Sequence, residues 1–271
     1  MLVIGVVTHG NPPGQLARLA RSLELAWRDL DARPRVLVRD HGVVGAPSAW
    51  PIAVERGPPG TNVGFGAGMN ALMAWAFSAP AVGRFLCLNP DAVLHRDCLR
   101  ELLAAAEATP GALVEARQFP EEHPKPYDPA TGDTPWASGA CLLVPRRVFE
   151  DHGGFDPGFF LDCEDVDLSW RVRAAGGRVV VAPRALVGHE VLNRPPDPAR
   201  TRHTLLSARR LGHLWGSPRF RRWAEGELVA RGLAAGGELP PLPARAQTSR
   251  PVAAGVADFE HLLTFARARW A

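Results

Sequence analysis

The sequence has little of what marks a secreted or membrane-spanning protein. Its 271 residues include 4 cysteines, at positions 87, 98, 141 and 163, which lie far apart and form no C-x-x-C pair. Neither a zinc site nor a disulfide framework is therefore indicated. No segment reaches the roughly 18 uninterrupted apolar residues of a membrane span. We therefore expect a cytoplasmic protein that is either soluble or peripheral to the inner face of the cell membrane.

Lysine is almost missing, because Lys125 is the single one among 31 basic residues and arginine supplies the rest. The formal net charge is only +3, so the arginine content is weak evidence for nucleic-acid binding, and we expect no nucleic-acid partner. Met1 leads directly into an apolar run without a basic segment or a cleavage site. That run predicts a first strand rather than a signal peptide.

Apolar runs alternate with helical patterns through the first half of the chain, which predicts an α/β fold with a parallel sheet covered by helices. The predicted strands cover residues 2–8, 35–39, 52–55, 85–88, 112–116 and 178–181. The predicted helices cover residues 15–30, 67–77, 96–108 and 165–175. Residues 118–135, rich in proline, glutamate and glycine, predict a loop.

The character of the chain changes near Pro198, where arginines become frequent and the pattern becomes helical. We predict a body over 1–195, a basic helical extension packing on it over 196–235, and a linker with a terminal helix, at 259–270, over 236–271. The basic helix has three interpretations: it grips a pyrophosphate, it approaches an anionic membrane, or it is a solvated face. The sequence leaves all three open.

Polar residues end several of the predicted strands. Ligands of open α/β sheets bind outside the carboxyl ends of the strands, so these residues are the first candidates for a site. Thr8 and Asp40 end the first two strands, and Asn89 and Asp91 follow a later one. His189 ends another apolar run, and a histidine paired with Asp91 would suit Mg or Mn. The competing interpretation of Asp91 is a turn or helix-capping aspartate.

A glycine-rich segment leads into the second predicted helix, with Gly64, Gly66 and Gly68 followed by Asn70. The glycines permit close approach of a ligand, and a helix start offers amides to an anion. Their spacing is not G-x-G-x-x-G, and no G-K-[ST] is present, so dinucleotide and P-loop sites lose support. A binding loop and a plain turn both remain open.

Four carboxylates lie within six residues at Asp162, Glu164, Asp165 and Asp167. Asp167 precedes Arg171 by four residues, which predicts a helical ion pair. Asp165 and Glu164 are then left to face the sheet edge, where a carboxylate near a substrate can act as a general base. A capping carboxylate is the alternative.

Taken together, these residues resemble the inverting family 2 glycosyltransferases of GT-A fold, especially the rhamnosyltransferase-like branch. The likeness runs from about residue 3 to residue 189, and its most specific motifs are the segments 136–147, 153–156, 159–160 and 164–168. The resemblance implies a Rossmann-like, mostly parallel central sheet flanked by helices. It also implies a donor that is a nucleoside-diphosphate sugar.

The resemblance also assigns roles to individual residues. Asp165 would be the catalytic base with Glu164 beside it, and Asp91 and His189 would hold a Mg or Mn cation. The residues implied to bind the nucleotide-sugar are Thr8, Asp40, Asn62, Gly64, Gly66, Gly68, Asn70, Asn89 and Arg209. Those implied to border the acceptor are Trp136, Gly139 and Phe160.

The implied reaction is a single in-line displacement that inverts the anomeric centre, with a dTDP- or UDP-linked sugar as donor and dTDP-rhamnose as the leading candidate. The acceptor is a glycan, a lipid-linked molecule or a small molecule, and contact with a membrane or a second copy of the chain is left open. Two alternatives remain: a catalytically silent nucleotide-binding protein of the same fold, and a nucleotidyltransferase.

Overall fold

The computed structural model describes residues 1–42, 50–57, 60–189, 191, 194–234, 239–243 and 256–267. The strands are β1 (Leu2–Thr8), β2 (Arg35–Asp40), β3 (Glu55–Arg56), β4 (Arg84–Leu88), β5 (Val93–Leu94), β6 (Leu113–Phe119), β7 (Glu121–Glu122), β8 (Cys141–Pro145), β9 (Val179–Gly188) and β10 (Ala266–Arg267). The helices are α1 (Pro13–Ala26), α2 (Phe65–Phe77), α3 (Cys98–Ala108), α4 (Arg146–His152), α5 (Glu164–Ala174), α6 (Pro198–Leu214) and α7 (Pro218–Ala230).

Across the described residues, eight strands form one sheet in the order β3-β2-β1-β4-β8-β6-β9-β5. Strands β1 to β4 run parallel, and β6 runs parallel to β9, whereas β8 is antiparallel to both of its neighbours. Strand β5 is antiparallel to β9. The predicted mostly parallel sheet is therefore confirmed.

Both faces of this sheet are covered. Along β1, Val3 and Ile4 are fully buried but belong to different core clusters, as expected when successive side chains point to opposite faces. The Ile4 face packs on α1 and α3, and the Val3 face packs on α2 and α5. Such two-sided burial explains why the strands read as continuous apolar runs.

A third cluster joins α5 to the extension that follows residue 197. Trp170 of α5 meets Trp215 edge-to-face at 5.2 Å between ring centroids and Phe259 at 5.0 Å. Leu211 and Ala224 bring α6 and α7 into the same cluster. The predicted helical character of the extension is confirmed, while the domain boundaries at 195 and 235 stay predictions.

The predicted terminal helix at 259–270 is wrong over its described part. Residues 260–263 form turns, and β10 pairs antiparallel with β7. His261 and Leu263 have φ of 61° and 58°, a left-handed backbone that a right-handed helix excludes. The predicted loop at 118–135 is wrong in part, because it contains the end of β6 and all of β7. The predicted linker lies largely outside the described residues.

No helix in the described ranges combines the length and the hydropathy that spanning a membrane requires.

Candidate active site

The carboxyl ends of the parallel strands gather the predicted residues at one edge of the sheet. Thr8 and Asp40 are paired in the register of β1 and β2, and Asn89 and His189 directly follow β4 and β9. Strand β8 runs the other way, so Gly139, which precedes it, arrives at the same edge. The sheet topology thus brings residues from five segments together.

Thr8 and Asp40 lie in contact, because the Thr8 hydroxyl donates to Oδ1 of Asp40. Arg56 Nη1 donates to the other carboxylate oxygen at 2.7 Å. Asp40 is therefore held by a hydroxyl and a guanidinium in a partly exposed position, with side-chain exposure of 27%. Its role toward a nucleotide stays a prediction.

Neighbouring protein atoms leave no room for a side chain at the three glycines around the start of α2. A Cβ on Gly64, whose φ is +86°, would lie 2.2 Å from the Phe160 carbonyl oxygen. One on Gly66 would lie 2.9 Å from Cβ of Phe155, and one on Gly68 would lie 2.7 Å from the His41 ring. Close packing against Phe155, Phe160 and His41 thus accounts for this glycine pattern.

Two asparagines fasten this junction. Asn62 Oδ1 accepts from the Gly64 amide at 3.0 Å, just before α2. Asn70 binds the backbone of Phe155 twice, donating to its carbonyl at 2.7 Å and accepting from its amide at 2.9 Å. The described contacts of Asn70 therefore position the turn at 153–160, and its role toward the donor stays a prediction.

The carboxylate cluster begins in a strained turn. Asp162 and Cys163 have φ of 63° and 70°, which is uncommon for residues other than glycine and tends to occur at functional sites. Thr204 of α6 donates to Oδ2 of Asp162 at 2.5 Å and holds the turn. Helix α5 then starts with Glu164 and Asp165, whose carboxylates lie near the positive end of its dipole.

Asp165 is held in one orientation by two backbone amides. Gly139 donates to its Oδ2 and Val166 to its Oδ1, both at 2.8 Å. Burial raises the pKa of Asp165 to about 6 and outweighs these hydrogen bonds and the positive charge of Lys125, all of which lower the pKa. A carboxylate with a pKa near 6 is ionised at neutral pH and can still accept a proton, as a general base must.

Glu164 has a different environment. It is only 4% exposed and packs against Gly66, and its Oε2 has no hydrogen-bond partner among the described residues. Burial, followed by the charge of Asp165, raises the pKa of Glu164 well above its usual value. This shift favours the neutral form of Glu164, whereas Asp165 is held as a carboxylate by two amide donors.

Asp167 forms the predicted ion pair, which is confirmed. Arg171 Nε donates to its Oδ2 at 2.8 Å, and Trp215 Nε1 donates to its Oδ1 at 2.9 Å. Arg171 also donates to the carbonyls of His152 and Gly154, at 2.6 Å each. Asp167, which is fully buried, therefore links α5 to the extension and to the turn at 153–160.

The structure brings Asp91 and His189 together, with 3.5 Å between Asp91 Oδ1 and His189 Nε2. Arg194 contacts both of them: its Nη2 donates to Oδ2 of Asp91 and lies 2.9 Å from Nε2 of His189. Burial alone would raise the pKa of Asp91, but His189 and then Arg194 favour the carboxylate and lower its pKa to about 2. The pair therefore stabilises a positive charge at this position.

A divalent cation fits this pair as far as its donor set goes. A carboxylate oxygen and an imidazole nitrogen are ligands that Mn²⁺ accepts, and Arg194 shows that the two atoms can hold a cation jointly. Within the described ranges, no group of three or more Asp, Glu, His or Cys side chains converges as a metal site. The remaining ligands would therefore have to come from the substrate phosphates and water.

A buried polar chain supports His189 and was not apparent from the sequence. Its Nδ1 lies 2.9 Å from Gln118 Oε1, and Gln118 Nε2 donates to Glu115 at 3.4 Å. Lys125 donates to Glu115 at 2.5 Å and to the Trp136 carbonyl at 2.7 Å. The only lysine of the sequence is thus a buried structural cation, in a segment that the sequence predicts as a loop.

The residues predicted to border the acceptor differ in their surroundings. Trp136 is 2% exposed, and the Lys125 ammonium lies 4.0 Å from the centroid of its ring. Phe160 is partly exposed and stacks on His203 of α6, with 4.2 Å between ring centroids. Gly139 contacts Asp165 through its amide. Of the three, Gly139 is the one with a described contact to Asp165, and His203 is a neighbour of Phe160 that the sequence does not indicate.

Arg209 and Arg210 face different parts of the protein. Arg209 donates to Glu225 of α7 at 2.9 Å and to the Pro240 carbonyl at 2.7 Å. Arg210 instead binds both carboxylate oxygens of Asp156, at 3.2 and 3.1 Å, and packs beside Gly158. In this structure the arginine on the 153–160 turn is Arg210 rather than Arg209, the residue predicted to bind the donor.

Comparison with known proteins agrees with this geometry. Residues 113–210 match the family described as Glycosyltransferase like family 2. The N-acetylglucosaminyl-diphospho-decaprenol L-rhamnosyltransferase of Mycobacterium tuberculosis is 31% identical over 254 residues, with 73% of this chain and 79% of that protein covered. The chain belongs to glycosyltransferase family 2. It is therefore a glycosyltransferase of the rhamnosyltransferase-like kind, and the nucleotidyltransferase alternative is set aside.

Three shorter or more distant similarities extend this result. The rhamnosyltransferase WbbL of Escherichia coli is 42% identical over 48 residues, 18% of each chain. The mannosyltransferase PcManGT of Pyrobaculum calidifontis, solved with GDP-Man and Mn²⁺, has a TM-score of 0.58 at 16% identity and covers 88% of this chain and 76% of its own. GalNAc-T7, solved with UDP, GalNAc and Mn²⁺, has a TM-score of 0.59 at 14% identity and covers 91% and 53%. These structures establish the GT-A fold.

Proposed function

We propose that this glycosyltransferase moves a sugar from a nucleoside diphosphate to an acceptor hydroxyl with inversion, and that Asp165 is the general base. The observation that carries this proposal is the environment of Asp165: an ionised carboxylate fixed by the amides of Gly139 and Val166 at the substrate edge of the sheet. Burial favours the neutral form of Glu164, and its Oε2 has no hydrogen-bond partner among the described residues, so we assign the base to Asp165.

The proposed step is a single displacement. Asp165 takes the proton of the acceptor hydroxyl as its oxygen forms a bond to the anomeric carbon. The bond from that carbon to the diphosphate oxygen breaks, and the nucleoside diphosphate leaves with the electron pair. Attack from the face opposite the leaving group inverts the anomeric centre. The two amide hydrogen bonds aim the carboxylate before the acceptor binds, which reduces the entropic part of the barrier.

The leaving diphosphate gains negative charge as the bond breaks, so the site needs a cation there. Asp91 and His189 would hold Mg²⁺ or Mn²⁺, which supplies charge stabilisation to the leaving group when bound. The Mn²⁺ in both solved GT-A neighbours supports this assignment. Thr8, Asp40 and Asn62 lie at the neighbouring strand ends, and we assign the nucleotide to that part of the edge.

For the donor we propose a dTDP- or UDP-sugar, with dTDP-rhamnose first, and for the acceptor a sugar carried on a lipid diphosphate. The support is the mycobacterial relative, whose name specifies rhamnosyl transfer to N-acetylglucosaminyl-diphospho-decaprenol. The exposed arginines of α6 and α7 are consistent with such an anionic acceptor.

The test is a donor screen followed by a transfer assay. Thermal unfolding is measured with each nucleotide-sugar and Mn²⁺, and the sugar that shifts the midpoint is then incubated with a short-chain lipid-diphosphate N-acetylglucosamine. We expect dTDP-rhamnose to stabilise the protein and NMR of the product to show the inverted anomer. A shift without transfer to this or any tested hydroxyl acceptor would favour a silent nucleotide-binding protein, and a retained anomer would exclude the single displacement.

A further inference from the structure

Arg194 occupies the position between Asp91 and His189 that a metal ion would use. Its Nη2 is within hydrogen-bonding distance of one carboxylate oxygen of Asp91 and 2.9 Å from His189 Nε2. The three side chains are 28%, 21% and 6% exposed, in the order Arg194, Asp91 and His189. This arrangement is a partly buried ion pair instead of a loose surface contact.

The hydrogen bonds define which nitrogen of His189 faces Asp91. Gln118 donates to Glu115 through Nε2, so its Oε1 is the atom that accepts from His189 Nδ1. Nε2 of His189 is then the nitrogen that lies 3.5 Å from Asp91 Oδ1. Arg194 Nη2, at 2.9 Å, and the Asn89 amide nitrogen, at 3.3 Å, lie against the same nitrogen.

The two atoms that Arg194 contacts, a carboxylate oxygen of Asp91 and the Nε2 of His189, are both of the types that bind divalent metal ions. The guanidinium also neutralises the single charge of Asp91, which leaves the pair without net negative charge to attract a divalent ion. A cation bound to the same carboxylate and imidazole nitrogen would lie in contact with Arg194 and be repelled by it.

We propose that Arg194 is the resident cation of the Asp91–His189 pair and that its guanidinium and a divalent ion exclude each other there. Metal binding then requires the Arg194 side chain to leave the pair, and Arg194 sets the metal affinity of the enzyme when no donor is bound. The significance of the pair rests on the proposed function, but the competition itself concerns the metal alone.

The test measures Mn²⁺ binding in the absence of donor. The electron paramagnetic resonance signal of free Mn²⁺ reports how much of the ion stays unbound. Arg194→Met removes the charge and keeps much of the side-chain volume. We expect it to bind Mn²⁺ about tenfold or more tightly than the natural protein, since a unit positive charge in contact with the ion is removed. Asp91→Asn added to Arg194→Met should abolish the gain.

Arg184→Met is the matched control, because Arg184 lies on β9, the strand that His189 follows, but its side chain is 81% exposed and pairs with Glu101. It should bind Mn²⁺ as the natural protein does. Equal or weaker binding by Arg194→Met, no Mn²⁺ binding by any variant, or a gain that survives Asp91→Asn would each overturn the proposal.

Thermal unfolding confirms that each variant is folded, and Arg194→Gln replaces Arg194→Met if the latter is not. The transfer assay on the natural protein is separate. If Arg194→Met does not bind Mn²⁺ more tightly but the natural protein transfers sugar, the competition is excluded and the proposed function stands. If Arg194→Met binds Mn²⁺ more tightly but the natural protein transfers no sugar, the competition stands and the proposed function is excluded.

Discussion

The backbone amide of Gly139 donates a hydrogen bond to Oδ2 of Asp165 over 2.8 Å. The next residue, Ala140, accepts from the Asn89 amide at 2.9 Å, so one short backbone segment touches both the proposed base and the loop that carries Asp91. The same short segment of backbone therefore positions Asp165 and the loop that carries Asp91. We expect a displacement of one to displace the other.

The pH dependence of transfer follows from the pKa of Asp165, which is raised to about 6. The base acts as a carboxylate, so we expect kcat/KM to fall as the pH drops through about 6 and to be level between pH 7 and 8. The measurement is kcat/KM from pH 5 to 8 with donor and metal held saturating. An acid limb near pH 4 would indicate an unperturbed carboxylate and would contradict this environment.

Replacing Asp162 by Asn should move that acid limb to lower pH, because the charge of Asp162 contributes to the raised pKa of Asp165. Asparagine suits this position, since it tolerates the left-handed φ of 63° and still accepts the Thr204 hydrogen bond. The pH profile of the variant is compared with that of the natural protein. An unchanged profile would show that Asp162 does not act on the base.

Asp165→Asn should lower transfer by roughly 10²- to 10⁴-fold, the usual contribution of a general base. Donor binding should stay near normal, because the base contacts the acceptor. The thermal shift caused by the nucleotide-sugar measures that binding. Asp151→Asn is the matched control: it removes one carboxylate from an exposed ion pair with Arg147 on α4, and we expect full activity. Near-normal turnover in Asp165→Asn would exclude Asp165 as the base.

The fold was predictable because its signals are local. Strands that are buried on both faces appear in the sequence as short apolar runs, and the helices between them show a helical periodicity. The order of strands and helices can therefore be predicted without knowing the tertiary contacts. The polar strand ends then lie at one edge by topology alone. The proximity of Asp91 and His189 is of this kind, although 98 positions separate them in the chain.

What could not be predicted depends on helix phase and on long-range contacts. Arg209 and Arg210 are adjacent, and only the packing of α6 on α7 decides that Arg210 meets Asp156. Arg194 reaches Asp91 across 103 positions, which no local pattern encodes. At the C-terminal end, Phe259, Leu262 and Phe265 are spaced like a helix face, yet left-handed φ at His261 and Leu263 prevents a helix.

Asp167→Ala should separate structural from catalytic carboxylates. Asp167 is fully buried and accepts from Arg171 and Trp215, so its removal leaves a largely buried guanidinium and an indole without their partner. Breaking a buried pair costs roughly 3–5 kcal/mol, and we expect a loss of that order in the free energy of unfolding measured with urea. Asp165→Asn should change the free energy of unfolding far less. A larger loss of stability in Asp165→Asn than in Asp167→Ala would make Asp165 the structural carboxylate and would contradict this assignment.

Gly64→Ala should damage both stability and transfer, because Gly64 packs the start of α2 against Phe160, in the segment that leads into the carboxylate cluster. An alanine there would be strained twice: φ is +86°, and its Cβ would lie 2.2 Å from the Phe160 carbonyl oxygen, an atom that also accepts from the Phe65 amide at 3.1 Å. Backbone strain alone costs roughly 1–3 kcal/mol, and relief of the clash must push the turn away from α2.

We therefore expect a lower urea midpoint for Gly64→Ala and a fall in kcat even under conditions where the variant is fully folded, since the displaced turn leads into α5, which carries Asp165. Gly14→Ala is the control: Gly14 lies in α1, where an added Cβ meets no atom within 4 Å, and alanine there should leave stability unchanged or raise it. Normal kcat in folded Gly64→Ala would show that the α2 start and the base are positioned independently.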